Sequence, residues 1–132
     1  MKVLTIKQPY ATLIMLGHKK YEFRSWKTNF RGELLIHAGQ SIDKDAVKRT
    51  QEFLPEELPQ GKILGKVKIT DCIKCNKNLK DECMKQNPLV YAKSPVDEGY
   101  AWKIEDVEVW DKQIEIKGKL GLWNYTEGEN DV

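Results

Sequence analysis

Gly17 separates two segments whose side chains follow different periods, and this change constrains the fold more than any other feature of the sequence. Residues 9–16 place their apolar side chains on one helical stripe, and Pro9 fits the first turn of a helix because it lacks an N–H. Residues 20–26 alternate instead, as the residues of a β-strand do. Glycine is the residue type expected in a left-handed helix C-cap. The sequence therefore predicts a short helix that ends at Gly17 and leads directly into a strand.

The predicted strand at residues 20–26 has an aromatic face and a polar face. Tyr21 and Phe23 lie on the first face and are predicted to point into the core. The second face carries charged side chains and one indole: Lys20, Glu22, Arg24 and Trp26. Such a row is either a solvated strand surface or one wall of a pocket for a flat, anionic ligand.

The rest of the chain predicts more strands than helices. Strands are predicted at residues 3–8, 32–39, 62–73, 100–110 and 112–123. A second helix is predicted to begin at a Ser41 cap and to end at Pro55, and the lysine-rich, polar residues 74–98 fit one helical turn or two. Five to six mostly sequential strands with two or more short helices indicate an α+β fold, a small mixed β-barrel with helices at its ends.

The length of the chain and its apolar content limit the classes of protein to which it can belong. The 132 residues suffice for one hydrophobic core, so residues 1–132 are predicted to form a single domain with an acidic C-terminal tail at residues 126–132. The sequence has no run of about 18 apolar residues, which predicts no membrane partner. The N-terminus has no apolar segment of the length of a secretory signal, and the predicted location is cytoplasmic.

Basic residues are concentrated between residues 19 and 31. The formal net charge is only +2. This segment nevertheless holds five cations and one anion, namely Lys19, Lys20, Arg24, Lys27 and Arg31 with Glu22 as the anion. A local basic patch on a near-neutral protein attracts phosphate groups, and it is equally compatible with an ordinary solvated face.

The three cysteines predict neither a metal site nor a disulfide. Cys72 and Cys75 have the spacing of a zinc knuckle, and Cys83 follows, but a fourth ligand could come only from distant histidines or a carboxylate. An odd number of cysteines in a chain with a predicted cytoplasmic location favours reduced thiols. We therefore expect no metal and no cofactor.

The segment around Gly17 resembles the opening of the ASCH domain family, a branch of the PUA-like superfold. The signature of that family, GxKxxExR, is complete here as Gly17, Lys19, Glu22 and Arg24. The flanks are similar as well, since IKQPYA precedes the signature and a tryptophan followed by NFRGELLIHA comes after it. With the closing segments YAWKIEDVEVW and IKGKLGLWNY, the resemblance extends over about residues 3–125.

The resemblance implies a β-barrel with a cleft at one end that is lined by the signature. PUA-like relatives mostly handle RNA or modified nucleosides, so the implied ligand is RNA, a nucleotide or a nucleoside. Some similar small bacterial proteins are amidohydrolases of an acetylated cytidine, and other relatives have been proposed as ribonucleases. Lys19 matches the lysine of the amidohydrolase pattern, whereas Glu22 stands where that pattern has a threonine.

The signature and its surroundings supply the candidate ligand-binding residues. These are Tyr10, Lys19, Lys20, Glu22, Arg24, Trp26, Arg31 and Lys119. Cations suit a phosphate, a glutamate accepts hydrogen bonds from a base edge, and aromatic rings stack on bases, although aromatic residues in a small barrel more often belong to the core. Lys119 lies between two glycines, where the main chain can approach a ligand closely. If the protein is an enzyme, Lys19 and Glu22 are its candidate catalytic residues.

Three functions remain open from the sequence. The first is the binding of RNA, a nucleotide or a modified nucleoside in a cleft lined by the signature. The second is a hydrolase, either a ribonuclease or an amidohydrolase, that uses the same cleft. The cations beside Glu22 favour its charged form, and therefore favour binding over general-base catalysis. The third is a protein-interaction domain that keeps the fold and uses other surfaces, such as residues 74–98.

Overall fold

Six strands form one mixed sheet in the computed structural model, which describes residues 1–94 and 98–126. The strands are β1 (Lys2–Gln8), β2 (Tyr21–Arg24), β3 (Gly32–Ile42), β4 (Lys62–Lys74), β5 (Tyr100–Glu115) and β6 (Leu122–Asn124). Their order in the sheet is β2-β5-β4-β3-β1-β6. β1 and β3 run parallel, and the other neighbouring pairs are antiparallel. The predicted acidic tail lies outside the described residues from position 127 onward.

Four short helices and one 3-10 turn accompany the sheet in the described part of the chain, which confirms the predicted α+β class. The helices are α1 (Tyr10–Met15), α2 (Lys44–Arg49), α3 (Lys77–Gln86) and α4 (Pro88–Tyr91), and the 3-10 turn is at Gln51–Phe53. None of the helices in residues 1–94 and 98–126 is long and apolar enough to cross a membrane.

Gly17 ends α1, as the sequence predicts. It has a φ of +84°, in the left-handed region that glycine adopts readily. The N–H of His18 donates to the main-chain oxygen of Leu13 over 2.9 Å, which is the long bond of a Schellman motif. The N–H of Lys19 donates to the same oxygen over 3.2 Å. These bonds reverse the chain at the end of α1, and Lys19, two residues before β2, is buried.

The sheet does not close into the barrel that the sequence predicts. β2 and β6 lie at opposite ends of the strand order, and no hydrogen-bonded pairing joins them within the described ranges. β2 has four residues and β6 has three. Such short strands offer few backbone groups for a further ladder, and the result is a curled, open sheet.

The two strands predicted at residues 100–110 and 112–123 are in fact one long strand, β5, followed by a loop and by β6. Before Gly118 no glycine or proline interrupts the segment after residue 100, and pairing with β4 continues as far as Glu115. The predicted break between the two strands is wrong for this reason.

Two helical segments also differ from the prediction. Ser41 lies in β3, and Asp43 caps α2 instead, because its carboxylate accepts a main-chain N–H three residues later over 3.0 Å. Helix α3 occupies much of the segment for which the sequence predicts little helix. Leu79 and Cys83 are its two buried residues, and this pair is too sparse to mark a helical stripe in the sequence.

The core is organised around the fully buried Trp102 of β5. Helix α1 packs with four of the strands into the cluster that contains this indole. Helices α3 and α4 cover a second cluster, which includes Tyr21, Cys83 and Tyr91. A third cluster surrounds Trp123 of β6. Tyr10 and Phe23, which pack against the second cluster, and Ile116, which packs against the third, also line the cleft described next.

Candidate functional site

An open cleft of about 1170 Å³ lies between the signature segment, β1 and the loop after β5. We call three buried or half-buried signature residues, Lys19, Glu22 and Arg24, the floor of this cleft. Its walls include Thr5, Tyr10, Phe23 and His37. Four exposed lysines surround its mouth and are named here the rim lysines: Lys7, Lys93, Lys117 and Lys119.

Lys19 is a buried lysine whose ammonium group is surrounded by aromatic rings. Its residue is 3% exposed, and Nζ donates to the main-chain oxygen of Tyr21 over 2.5 Å. The ring centroids of Phe23, Tyr91 and Tyr10 lie 4.5, 5.3 and 5.4 Å from Nζ. Burial lowers the pKa of Lys19, and the nearby carboxylate of the floor opposes this shift. The rings stabilise the protonated form of the amine through cation–π interactions.

Glu22 lies between two cations. One carboxylate oxygen is 3.8 Å from Nζ of Lys19, and the other accepts a hydrogen bond from Nη2 of Arg24 over 3.0 Å. The side chains of Lys19 and Glu22 are 2% and 9% exposed, whereas that of Arg24 is 22% exposed. The same Nη2 also donates to the main-chain oxygen of Thr5 over 2.9 Å. The floor is therefore a hydrogen-bonded group in which one carboxylate faces two positive charges.

Arg24 keeps hydrogen-bonding capacity beyond its bonds to Glu22 and Thr5. Its Nε is buried and has no hydrogen-bond partner in the described part of the chain, which costs about 1–3 kcal/mol. The side chain as a whole is 22% exposed and lines the cleft, so its accessible N–H groups can donate to a ligand there, and Glu22 beside it can accept from a ligand's amine.

β2 keeps the two faces predicted for the signature strand, but the burial of its residues differs from the prediction. Tyr21 is in the second core cluster, as predicted, and the half-buried Phe23 packs against the same cluster while it also lines the cleft. Glu22 is buried rather than part of an exposed polar surface. The curl of the sheet is the cause, because it turns the face that carries Glu22 and Arg24 toward β1 instead of toward solvent.

Tyr10 is held in the cleft wall by Asp43. The phenol donates to Oδ2 of Asp43 over 3.1 Å, while Oδ1 caps α2. The cap bond lowers the pKa of Asp43, and burial raises the pKa of Tyr10. The tyrosine therefore stays protonated and the carboxylate ionised near neutral pH, which fixes the orientation of the ring beside Lys19.

His37 is buried in the opposite wall and uses both ring nitrogens. Nε2 lies 2.7 Å from the main-chain oxygen of Ile116, and Nδ1 lies 3.3 Å from Oγ1 of Thr5. Because a carbonyl can only accept, Nε2 carries the proton and Nδ1 of the neutral ring accepts from the threonine hydroxyl. Trp123 Nε1 donates to the same Oγ1 over 2.9 Å. Burial lowers the pKa of His37, which favours this neutral form.

Positive charge prevails along the lining of the cleft. Six cationic side chains line it, namely Lys19, Arg24 and the four rim lysines, against the three carboxylates of Glu22, Asp43 and Glu115. Lys7 and Lys119 lie near aromatic rings, with Nζ to centroid distances of 6.0 Å for Tyr10 and 5.9 Å for Trp123. The loop beyond β5 also places Leu120, which is 97% exposed, at the mouth.

The structure brings together five of the eight residues that the sequence marks as ligand-binding candidates. Tyr10, Lys19, Glu22, Arg24 and Lys119 all line the cleft. The other three lie elsewhere. Lys20 is exposed in a separate groove, and Trp26 packs edge-on against Trp102 with 4.7 Å between centroids. Arg31 donates to main-chain oxygens of its own turn and lies 3.8 Å from a carboxylate oxygen of Asp71.

Several lining residues carry no local signal in the sequence. Thr5, Lys7 and Lys117 have unremarkable neighbours, and their places in the cleft depend on contacts between distant parts of the chain. His37 lies between apolar residues, a pattern that indicates a buried, hydrogen-bonded histidine rather than a member of a site. The loop that carries Lys119 is indicated locally by its two glycines, Gly118 and Gly121.

Comparison with known proteins adds a family and a fold. The sequence model of the ASCH domain matches residues 4–119. Activating signal cointegrator 1 of Mus musculus is 29% identical over 132 aligned positions, which cover 91% of this chain and 21% of that protein. The Homo sapiens protein of the same name is 32% identical over 83 positions, or 53% of this chain and 14% of that protein. This chain thus spans about a fifth or less of the length of these relatives.

A solved structure shares the fold. The crystal structure of ASCH from Zymomonas mobilis superposes with a TM-score of 0.63 and covers 98% of this chain and 90% of that chain. The two sequences are 12% identical, so this likeness concerns the fold alone. The overall fold of this chain is therefore one already seen by crystallography.

Proposed function

This chain belongs to the ASCH domain family, and from that membership and the geometry of its cleft we propose that it binds single-stranded RNA, with one nucleotide inserted in the cleft. The observation that carries the proposal is the partly exposed guanidinium of Arg24 beside the carboxylate of Glu22, at the floor of a cleft surrounded by lysines. A donor and an acceptor side by side match the edge of a nucleobase. The surrounding positive charge matches the phosphates on either side of it.

The rim lysines supply the phosphate contacts in this proposal. Their ammonium groups are flexible point charges, which suits a backbone that is bound without sequence preference. Lys7 on β1 and Lys119 on the loop after β5 extend from two separate elements around the cleft. A phosphate on each side of an inserted nucleotide would meet one of them.

The floor and the walls supply the contacts to the base. Arg24 donates and Glu22 accepts, so a base edge with a carbonyl or ring nitrogen next to an exocyclic amine satisfies both. The half-buried rings of Tyr10 and Phe23 border the same space and offer apolar contact area to the base. Single-stranded RNA is favoured over a duplex because only an unpaired base can enter a cleft.

Fluorescence anisotropy with a labelled single-stranded RNA of about 12 nucleotides tests the proposal. We expect binding whose affinity falls with salt at a slope of about 0.7 per phosphate, equivalent to two or three contacts. The double variant Lys7→Ala/Lys119→Ala should weaken binding by about tenfold or more. Lys85→Ala, an exposed lysine on α3 outside the cleft, is the matched control and should change affinity by less than about twofold.

Three results would overturn the RNA proposal. One is an absence of RNA binding by the wild-type protein at low salt. Another is an affinity that the rim variant and the Lys85 control change equally. The last is binding that ignores salt and is competed fully by a free nucleoside, since that result would assign the cleft to a nucleoside instead.

A hydrolase is the second candidate, and the lowered pKa of Lys19 favours it. A neutral amine in a buried site can accept a proton from an attacking water or from a ribose hydroxyl, and Glu22 within 3.8 Å can stabilise the resulting ammonium. Incubation with RNA and with N-acetylated cytidine, followed by mass spectrometry of the products, tests this candidate. Turnover that is lost in Lys19→Met would support it, and intact substrates after prolonged incubation would exclude both reactions.

A further inference from the structure

Thr5 connects the two parts of the cleft that the proposed function uses. Its main-chain oxygen accepts from Nη2 of Arg24, over 2.9 Å, and thereby fixes the floor. Its hydroxyl accepts from Nε1 of Trp123 and lies 3.3 Å from Nδ1 of His37. One residue of β1 therefore contacts the signature on one side and the opposite wall on the other.

His37 continues this connection to the loop after β5. We name residues 116–121 the rim loop; it carries Lys117, Lys119 and Leu120. The ring N–H of His37 donates to the main-chain oxygen of Ile116 over 2.7 Å, at the beginning of that loop. A second bond, from the Ile116 N–H to the oxygen of Gly61 over 3.1 Å, holds the same residue. The rim loop thus begins at a point that is fixed from two directions.

Gly118 shows that the rim loop packs directly on the histidine ring. A Cβ atom at this position would lie 2.5 Å from Cε1 and 2.7 Å from Nδ1 of His37, and 2.9 Å from Oγ1 of Thr5. Side-chain carbon atoms essentially never approach so closely, so only glycine fits here without a shift of the loop or of the ring. The main chain next to Lys119 is therefore in contact with the same two residues that connect to the floor.

We propose that His37 is a positioning residue for ligand binding: with Thr5, it holds the rim loop at a fixed distance from the floor of the cleft. This inference rests on the proposed function for its ligand but goes beyond it, because His37 touches neither base nor phosphate in that proposal. A loop held in place loses less conformational entropy when its lysine binds a phosphate, and affinity rises accordingly. By holding the rim loop, His37 and Thr5 also fix the distance between the Arg24 contact to the base and the Lys119 contact to the phosphate.

Three variants separate positioning from simple folding. His37→Ala removes both ring contacts, and Gly118→Ala forces the loop away from the ring while the histidine remains. His37→Gln is the conservative variant, because its amide N–H can still donate to Ile116. Hydrogen exchange of the amides in the rim loop is the first measurement and needs no ligand.

The exchange result decides whether the loop is held. We expect exchange in residues 116–121 to become about tenfold faster in His37→Ala and in Gly118→Ala, and to stay near the wild-type rate in His37→Gln. Exchange in β3 and β4 should stay the same in the Gly118 variant, which lies outside the core strands. Unchanged exchange of the rim loop in Gly118→Ala overturns the inference, even if the histidine variant fails to fold.

Affinity for the labelled RNA decides whether the held loop matters for binding. If His37 acts through the loop, His37→Ala should weaken RNA binding by a much smaller factor in a Lys119→Ala background than in the wild type, since both changes disable the same contact. The matched background is Lys7→Ala on β1, in which His37→Ala should weaken binding by the same factor as in the wild type. The same loss of affinity in both backgrounds as in the wild type overturns the inference. An absence of RNA binding by the wild type would instead refute the proposed function and, with it, the role of the loop in binding, while the exchange result would still report whether His37 holds the loop.

Discussion

Nη2 of Arg24 lies 2.9 Å from the main-chain oxygen of Thr5, although β5, β4 and β3 stand between their strands in the sheet. The sheet curls until its first strand and its fifth strand in that order almost meet. A side chain joins them, and no backbone ladder does so in the described part of the chain. The same guanidinium is also bonded to Glu22, so the contact that spans the open side of the sheet belongs to the floor of the cleft.

Loss of Arg24 should therefore affect stability as well as binding. Arg24→Ala leaves the Thr5 oxygen and one oxygen of Glu22 without their donor, and we expect the free energy of unfolding to fall by about 1.5–3 kcal/mol. Arg31→Ala is the control, because it removes an exposed 3.8 Å ion pair with Asp71 and two hydrogen bonds within its own turn, which together should contribute less than about 1 kcal/mol. Urea denaturation of the two variants measures both values. Equal losses of unfolding free energy in the two variants would show that the Arg24 bond across the sheet stabilises the fold no more than the surface contacts of Arg31.

Substitution of Glu22 and substitution of Lys19 should lower the free energy of unfolding by different amounts. Glu22→Gln leaves the buried ammonium of Lys19 without its carboxylate, and removal of one partner from a buried pair typically costs about 3–5 kcal/mol. Lys19→Met replaces the amine by an apolar chain among three aromatic rings and leaves Glu22 bonded to Arg24, so its cost should be much smaller.

The double variant tests the coupling within this pair. Because methionine removes the unpaired ammonium, Lys19→Met/Glu22→Gln should unfold at a higher urea concentration than Glu22→Gln alone. If the double variant were as unstable as the sum of the two single changes, the 3.8 Å contact would not be an energetic interaction.

The signature residues show what local sequence can and cannot predict. The end of α1 at Gly17 and the strand after it follow from propensity and periodicity, and both are found. Alternation also placed Trp26 on the face of Glu22, but β2 ends at Arg24, and beyond that residue the alternation no longer decides which way a side chain points. Trp26 instead packs on the core indole of β5. Local pattern thus predicts a site only as far as the strand continues.

Whether the sheet closes, and which residues line the cleft, depends on contacts between distant segments. Thr5, His37 and Ile116 are far apart in the sequence and meet through two hydrogen bonds to one imidazole ring. No periodic pattern in the sequence predicts such a contact. The predicted barrel was wrong for the same reason, because the strands at the two ends of the sheet are short and their pairing cannot be judged from their own sequences.

The thiols should differ strongly in reactivity. Burial raises the pKa of Cys83 to about 11, and the residue is fully buried between α3 and the core, whereas Cys72 is partly exposed. Only the thiolate is alkylated, so iodoacetamide at neutral pH should modify Cys72 at least about tenfold faster than Cys83. Peptide mass spectrometry after a time course measures the two rates. In urea the difference should disappear, and a native Cys83 that reacts as fast as Cys72 would contradict the packing of α3.

The stability of the protein should depend on pH through His37. Because burial lowers its pKa in the folded state, the unfolded chain binds more protons than the folded one when the pH falls below about 6.5, the ordinary histidine value. The stability that His37 contributes is therefore fully present above that pH and is lost progressively as the pH falls toward the folded-state pKa. Urea unfolding between about pH 5 and pH 8 of the wild type and of His37→Gln isolates this contribution, since the carboxylates and His18 are common to both proteins. We expect the wild type to lose more stability on acidification than the variant, and parallel profiles would show that the imidazole is not held neutral between Thr5 and Ile116.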